Sequence, residues 1–193
     1  MFDIAAQLFE GQDVRFGPID YDKDPQVEAK WTHNAEFMRL YDVNPARPLS
    51  AGIVKKQYEK LEKRMEEDKD LYHFMIRAKA DDRLIGKAEV QRIEWTNGNG
   101  QIRIGIGAAE DRCKGYGTQA LRMLLRFAFA ELNLFRMSAH VPEYNEGAIA
   151  LLKKFGFVEE VRRRQALERD GRRWDLLVFG LLKDEWQSQV NPE

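Results

Sequence analysis

The stretch GIGAAEDRCKGYGTQALRMLLRFAF, Gly105 to Phe129, passes from alternating apolar residues through a charged segment and two closely spaced glycines into a helical pattern. Ile102, Ile104 and Ile106 alternate with other residues, the period of a strand. Beyond the glycines, Leu121, Leu124, Leu125, Ala128 and Leu132 form the buried stripe of one amphipathic helix. Gly115 and Gly117 at the junction admit two readings. One is a tight strand-to-helix turn. The other is a nest of backbone N–H groups that holds a phosphate, with the helix dipole behind it and no Cβ to block close approach. The segment lacks the Lys-Ser/Thr pair of a nucleotidase P-loop. It also lacks the third glycine and early placement of a dinucleotide fold.

On the amino-terminal side, Val14 to Ile19 suggests a first strand, and Asp24 caps a helix that runs from Pro25 towards Tyr41. The prolines in Asn44 to Pro48 break it, and Ser50 caps a second helix with the stripe Val54, Tyr58, Leu61, Met65. Tyr72 to Ala78 and Leu84 to Trp95 read as strands around a turn at Asp81-Asp82, and Asn97 to Gly100 is a hairpin signal. On the carboxyl-terminal side come a strand from Arg136 to Val141, a helix from Asn145 to Phe155 ended by Gly156, and strands Val158 to Leu167 and Trp174 to Leu182. This order is an α/β domain with a mixed sheet.

The 193 residues carry no linker or low-complexity tract and are expected to form one domain, residues 1–193. A net charge of −1 argues against bulk binding of nucleic acid or an anionic membrane. One cysteine excludes an intramolecular disulfide, and with three scattered histidines it offers no metal-ligand cluster. The opening MFDIAAQLFEG has no secretory n-region, and the longest apolar run, Leu176 to Leu182, is too short to span a bilayer. The expected setting is soluble and cytoplasmic.

Arg112-Cys113-Lys114-Gly115-Tyr116-Gly117 has the form (Arg/Gln)-x-x-Gly-x-(Gly/Ala) and resembles the signature of the GNAT superfamily of N-acetyltransferases. Asn145 and Ala148 after the next strand, and Gly156-Phe157 closing the next helix, agree with it. The resemblance covers Val14 to Trp186. It is nearest to the branch of ribosomal-protein N-terminal and spermidine acetyltransferases, through Arg169 to Arg172 and Gly180 to Trp186. It implies a GNAT fold of the α/β (α+β) class: a mixed, mostly antiparallel twisted sheet of about seven strands, flanking helices, and fourth and fifth strands splayed into a V.

In that V the resemblance places acetyl-CoA. The pyrophosphate would sit on the N–H groups of Arg112, Cys113, Lys114, Gly115, Tyr116, Gly117 and Thr118. Pantetheine would pair with the strand edge at Ile106, Gly107 and Ala108, as an added strand does. Asn145 would bond the cofactor arm, and the N–H of Gly107 would receive the oxyanion. Arg112 and Lys114 would add charge near the phosphates, or simply keep the loop soluble.

Two family positions depart from the pattern. The usual tyrosine acid falls on Leu152, and the usual glutamate base on Gln101. A positioned acid or base contributes about 10²–10⁴-fold, whereas juxtaposing the reactants accounts for roughly 7–11 kcal/mol, so the loss weakens activity more readily than it abolishes it. Glu89 could serve as base through water, or be a solvated strand carboxylate. Tyr144 and Tyr116 could serve as acids, or pack. His33, His73 and His140 read as satisfied or exposed, Cys113 as incidental, and Arg162 to Arg164 as a solvated run. The implied activity is acetyl transfer to a primary amine of a small molecule or peptide by direct attack in a ternary complex, with a homodimer as a compatible assembly. The alternative is an acyl-CoA-binding sensor with little catalysis. The acceptor is expected near the first two helices and Asn44 to Ser50, where Trp31, Phe37 and Tyr41 could line a pocket or pack.

Overall fold

A computed structural model describes residues 7–190, so most of the amino-terminal segment read for a secretory signal lies outside it. Strands β1 (Val14–Gly17), β2 (Tyr72–Ala78), β3 (Leu84–Glu94), β4 (Asn99–Ile106), β5 (Arg136–Pro142), β6 (Val158–Arg169) and β7 (Arg172–Leu182) form one seven-stranded sheet in the order β1-β2-β3-β4-β5-β7-β6. Every neighbouring pair is antiparallel except β4 and β5. That parallel pair ends early: Asn99 faces Arg136, Gly100 faces Met137 and Gln101 faces Ser138, and there the pairing stops. Strand β5 continues on β7 through Pro142, so beyond Gln101 the two strands part and the edge of β4 faces a gap.

Helices α4 (Tyr116–Arg126) and α5 (Glu146–Lys154) cover one sheet face, where Leu121, Leu124 and Leu125 of α4 join the main core. The helical stripe expected to run on to Leu132 instead passes at Phe127–Glu131 into a π turn, marked by the 3.0 Å bond from the Leu132 N–H to the Phe127 carbonyl. The opposite face carries α1 (Asp24–Thr32) and α3 (Ala51–Glu67), packed through Ala29, Val54 and Tyr58 against Met75 and Leu84. A last helix, α6 (Lys183–Val190), follows β7.

The single helix expected from Asp24 to Tyr41 is two, α1 and α2 (Ala35–Tyr41). The Thr32 hydroxyl donates back to the Ala29 carbonyl at 2.7 Å and accepts the Leu49 N–H at 2.8 Å. Asn34 is extended, and its Oδ1 accepts the Phe37 N–H at 3.1 Å, so an asparagine cap restarts the helix at a new angle. Asp24 is no cap either. It is a buried first-turn residue whose Oδ2 accepts from the Asp20 N–H and from Arg77, both at 2.7 Å.

Candidate active site

Gly115 opens α4 at φ +84°, and Cys113 before it lies at φ +60°. A Cβ on Gly115 would meet nothing within 4 Å, so the left-handed backbone is what requires glycine there. Gly117 is different. Its φ is ordinary, and a Cβ would find only Leu151 at 3.8 Å and Ile106 at 4.0 Å. Nothing in the protein needs Gly117; the space in front of it does. No side chain caps α4, which leaves the first-turn N–H groups without a side-chain acceptor. A backbone cradle that a side chain would fill, at a helix N-terminus, fits a phosphate.

The loop cations brace this cradle. Asp111 takes both Nη groups of Arg83, at 2.5 and 2.6 Å, and Lys114 at 3.6 Å. Arg112 bonds Glu36 at 3.1 Å and the Gly107 carbonyl at 3.2 Å.

A cleft of about 560 Å³ runs from the cradle along β4 beneath α2. Of the residues expected to hold the cofactor, Ile106, Arg112, Cys113, Gly115, Gly117 and Thr118 line it, as does Asn145. Gly107, Ala108, Lys114 and Tyr116 do not. The Asn145 carboxamide is already engaged: its Oδ1 accepts the Ala148 N–H at 3.1 Å, capping α5, and its Nδ2 donates to the Leu40 carbonyl at 3.0 Å. Tyr144 lines the cleft too, but its hydroxyl donates to the Arg39 carbonyl at 3.0 Å, which makes it a fastener of α2 rather than a free acid.

Gly107 requires a correction. Its N–H donates to the Ile85 carbonyl of β3 at 2.9 Å, so it cannot receive an oxyanion. A Cβ there would stand 2.0 Å from the Trp31 indole, which is why the position is glycine. Backbone groups alternate along an antiparallel pair. Since residue 107 points to β3, the N–H groups of Ile104 and Ile106 point to the gap, where β4 has no partner.

A second cavity of about 170 Å³ shares Leu40, Tyr41, Ile104, Asn145, Ala148 and Leu151 with the cleft, and reaches Arg92, Gln101, Arg103 and His140. The two make one passage through the gap between β4 and β5. Leu152, at the position of the family's tyrosine, is buried in its wall.

Tyr41 sits at the join. Its ring lies over Gly105, where a Cβ would come within 2.4 Å of it, and Lys87 Nζ stands 4.5 Å from its centroid. The buried hydroxyl has no hydrogen-bond partner among the described residues. Burial, then the Glu89 charge, pushes its pKa well above the usual range, so it keeps its proton. His140, across the passage, is shifted the other way: burial, then Arg92, Arg163 and Arg103, hold it below the ordinary histidine value and therefore neutral near pH 7.

Glu89 lines neither cavity. The face of β3 that carries it lies under α1 and α3, a cover the strand pattern alone did not reveal, and it is buried rather than solvated. His73 Nδ1 bonds it at 3.1 Å and Arg103 Nε lies 3.9 Å away, beside a Lys87–Glu28 pair at 2.6 Å that Tyr58 also bonds at 2.6 Å. Desolvation opposes the charge, but His73, Lys87 and Arg103 outweigh it and hold the carboxylate down to about 2. A carboxylate so stabilised is a poor base near neutrality. It braces the sheet.

The acetyltransferase (GNAT) domain profile matches residues 14–158. YdaF of Bacillus subtilis (strain 168), whose name assigns it provisionally to ribosomal N-acetyltransferases, is 34% identical over 109 residues, 56% of this chain and 59% of its own length. The chain thus spans less than two thirds of that relative. YjcK of the same organism, named a probable N-acetyltransferase, is 34% identical over 182 residues, 92% of this chain and 98% of its own. A crystal structure of the spermidine N-acetyltransferase of Vibrio cholerae in complex with CoA and spermine has the same fold, with a TM-score of 0.77 at 21% identity over 91% of this chain and 98% of that one. The chain belongs to the GNAT acetyltransferase family. GNAT acetyltransferases use acetyl-CoA, and the cradle at Gly115–Gly117 fits its phosphates. Among the described residues no helix is long and apolar enough to cross a membrane, and no three His, Cys, Asp or Glu side chains are grouped to hold a metal ion.

Proposed function

We propose that this chain transfers an acetyl group from acetyl-CoA to a primary amine, with the two reactants entering the β4/β5 gap from opposite sides. The observation that carries this reading is the passage itself, which runs from a phosphate cradle to a polar recess on the other side of the gap. Coenzyme A would supply an acetyl thioester. The α4 N-terminus holds its phosphates, and the open edge of β4 offers backbone pairing for its arm. The N–H groups of Ile104 and Ile106 stabilise developing negative charge on a carbonyl oxygen. Neutral His140 accepts the proton of the incoming ammonium, directly or through water. Tyr41, which lines both cavities, holds a proton at its hydroxyl for a departing thiolate.

Release of free thiol from acetyl-CoA with a panel of amines tests the reading, alongside the thermal shift caused by CoA. Thiol release that needs both amine and protein supports it. A CoA shift with no release for any amine favours the acyl-CoA sensor, which Leu152 at the family's acid position supports.

A further inference from the structure

The far end of the passage is cationic. Arg92 and Arg103 line it beside His140 and Gln101. Arg163, not itself in the lining, is close enough to His140 to depress its pKa. Arg92 and Arg163 are exposed and make no ion pair among the described residues. The one carboxylate in the lining, Asp42, is engaged twice over. Its Oδ1 accepts both the backbone and side-chain N–H of Asn44 at 2.9 Å, and its Oδ2 lies 3.5 Å from Arg103. Across the strand register from Gln101, Gln91 keeps a buried amide nitrogen without a partner. Arg103 is shared between Asp42 and Glu89, whereas Arg92 and Arg163 bring positive charge to this end with no carboxylate paired to them among the described residues.

Resting on the acetyl-transfer reading, we infer that the acceptor is an amine carrying a carboxylate or similar anion near its amino group. A polyamine would bring further ammonium groups against Arg92, Arg103 and Arg163, where like charges repel across a partly desolvated space. An anionic tail meets Arg92 and Arg103 while the amino group points into the gap towards His140.

Four probes of different charge and source decide the matter: L-glutamate, a short peptide with a free amino end and glutamate second, n-butylamine, and spermidine. Thiol release gives kcat/KM for each, and calorimetry on the CoA-saturated protein gives their affinities independently of turnover. The expected result is that glutamate or the acidic peptide exceeds n-butylamine by about tenfold or more, with spermidine lowest. Arg92→Glu should shrink that preference by about tenfold. Arg92 is exposed and unpaired, so the variant is expected to fold, and Arg163→Glu provides a second charge reversal. Glutamate active and the peptide inactive marks a free metabolite; the reverse marks a protein terminus, and both support the anionic class. Spermidine equal or superior to the acidic probes, or a preference unmoved by both reversals, overturns it. If no amine reacts while calorimetry keeps the acidic preference, acetyl transfer fails and the recess stands as an anion site.

Discussion

The two ends of the passage are built differently. The end proposed for the coenzyme is walled by α2 and the start of α5 but centres on one run of chain, Ile104 to Thr118, whose backbone supplies a left-handed glycine, an uncapped helix start and an unpaired strand edge. The recess is assembled from side chains of Asp42, Arg92, Arg103 and His140, which come from α2's end, β3, β4 and β5. A backbone site is written in neighbouring residues because φ, capping and glycine placement are local. A side-chain site depends on register and on which helix covers which face, and neither is local. The difference predicts that changes at one end alter rate or acceptor choice, while changes at the other alter coenzyme affinity.

The sharpest break would come at His140. His140→Ala should lower turnover by about 10³-fold while leaving the CoA thermal shift intact. A base works deprotonated, and this one has a lowered pKa, so wild-type kcat/KM should climb with pH through a limb centred below 6.5 and be flat by neutrality. An alanine variant that keeps the limb and the rate would remove His140 from the chemistry.

Glu89 belongs to neither end, and a substitution should show it. Glu89→Gln leaves His73 and Arg103 without their carboxylate and should cost about 3 kcal/mol of stability by denaturant titration, with the rate per folded molecule unchanged. Its folded pKa of about 2 lies below the ordinary 4.5, so the stabilisation is present above 4.5 and lost as pH falls towards 2. The stability gap between wild type and variant should close across that window. A large fall in rate would restore Glu89 as a base.

At the coenzyme end, CoA at a hundred times its dissociation constant should stabilise the fold by about 2.7 kcal/mol. Gly117→Val should abolish most of that gain yet leave the ligand-free protein within about 1 kcal/mol, since its Cβ meets only ordinary contacts. An undiminished CoA shift would break the cradle assignment. The smallest effect is expected where the ends meet. Tyr41→Phe should slow thiol release about tenfold, because a thiol of pKa about 8.5 leaves passably as its anion. Its stability should hold or rise, as it removes a buried hydroxyl without a partner.

The strands, the glycine loop and the Asp170-Gly171 hairpin tip, both residues at positive φ, follow from alternation and turn chemistry. The gap between β4 and β5 came from the family resemblance, since no local pattern shows where a parallel pair stops. The resemblance implies an oxyanion donor near Gly107 but does not give the register that turns its N–H to Ile85, and glycine stands there to admit the Trp31 ring. Tyr41 was only one of three aromatics near an expected pocket. Its place follows from Asn34, whose capping power was the one signal in the sequence that α2 begins anew.

Helix α2 roofs the cleft while burying only Phe37. Besides Phe37 and the Tyr41 ring over Gly105, its ties are polar: Tyr144 and Asn145 to its carbonyls, Glu36 to Arg112, and Arg39 in a two-pronged pair with Asp170, 131 residues away. Such bonds are worth about 0.5–1.5 kcal/mol each, and exposed ion pairs less. The roof is therefore latched more than glued. The Arg39–Asp170 pair fastens this roof to the tip of β6 and β7, while Phe37 and the Tyr41 ring seat it on the sheet, so losing the pair would loosen one latch and leave the helix in place.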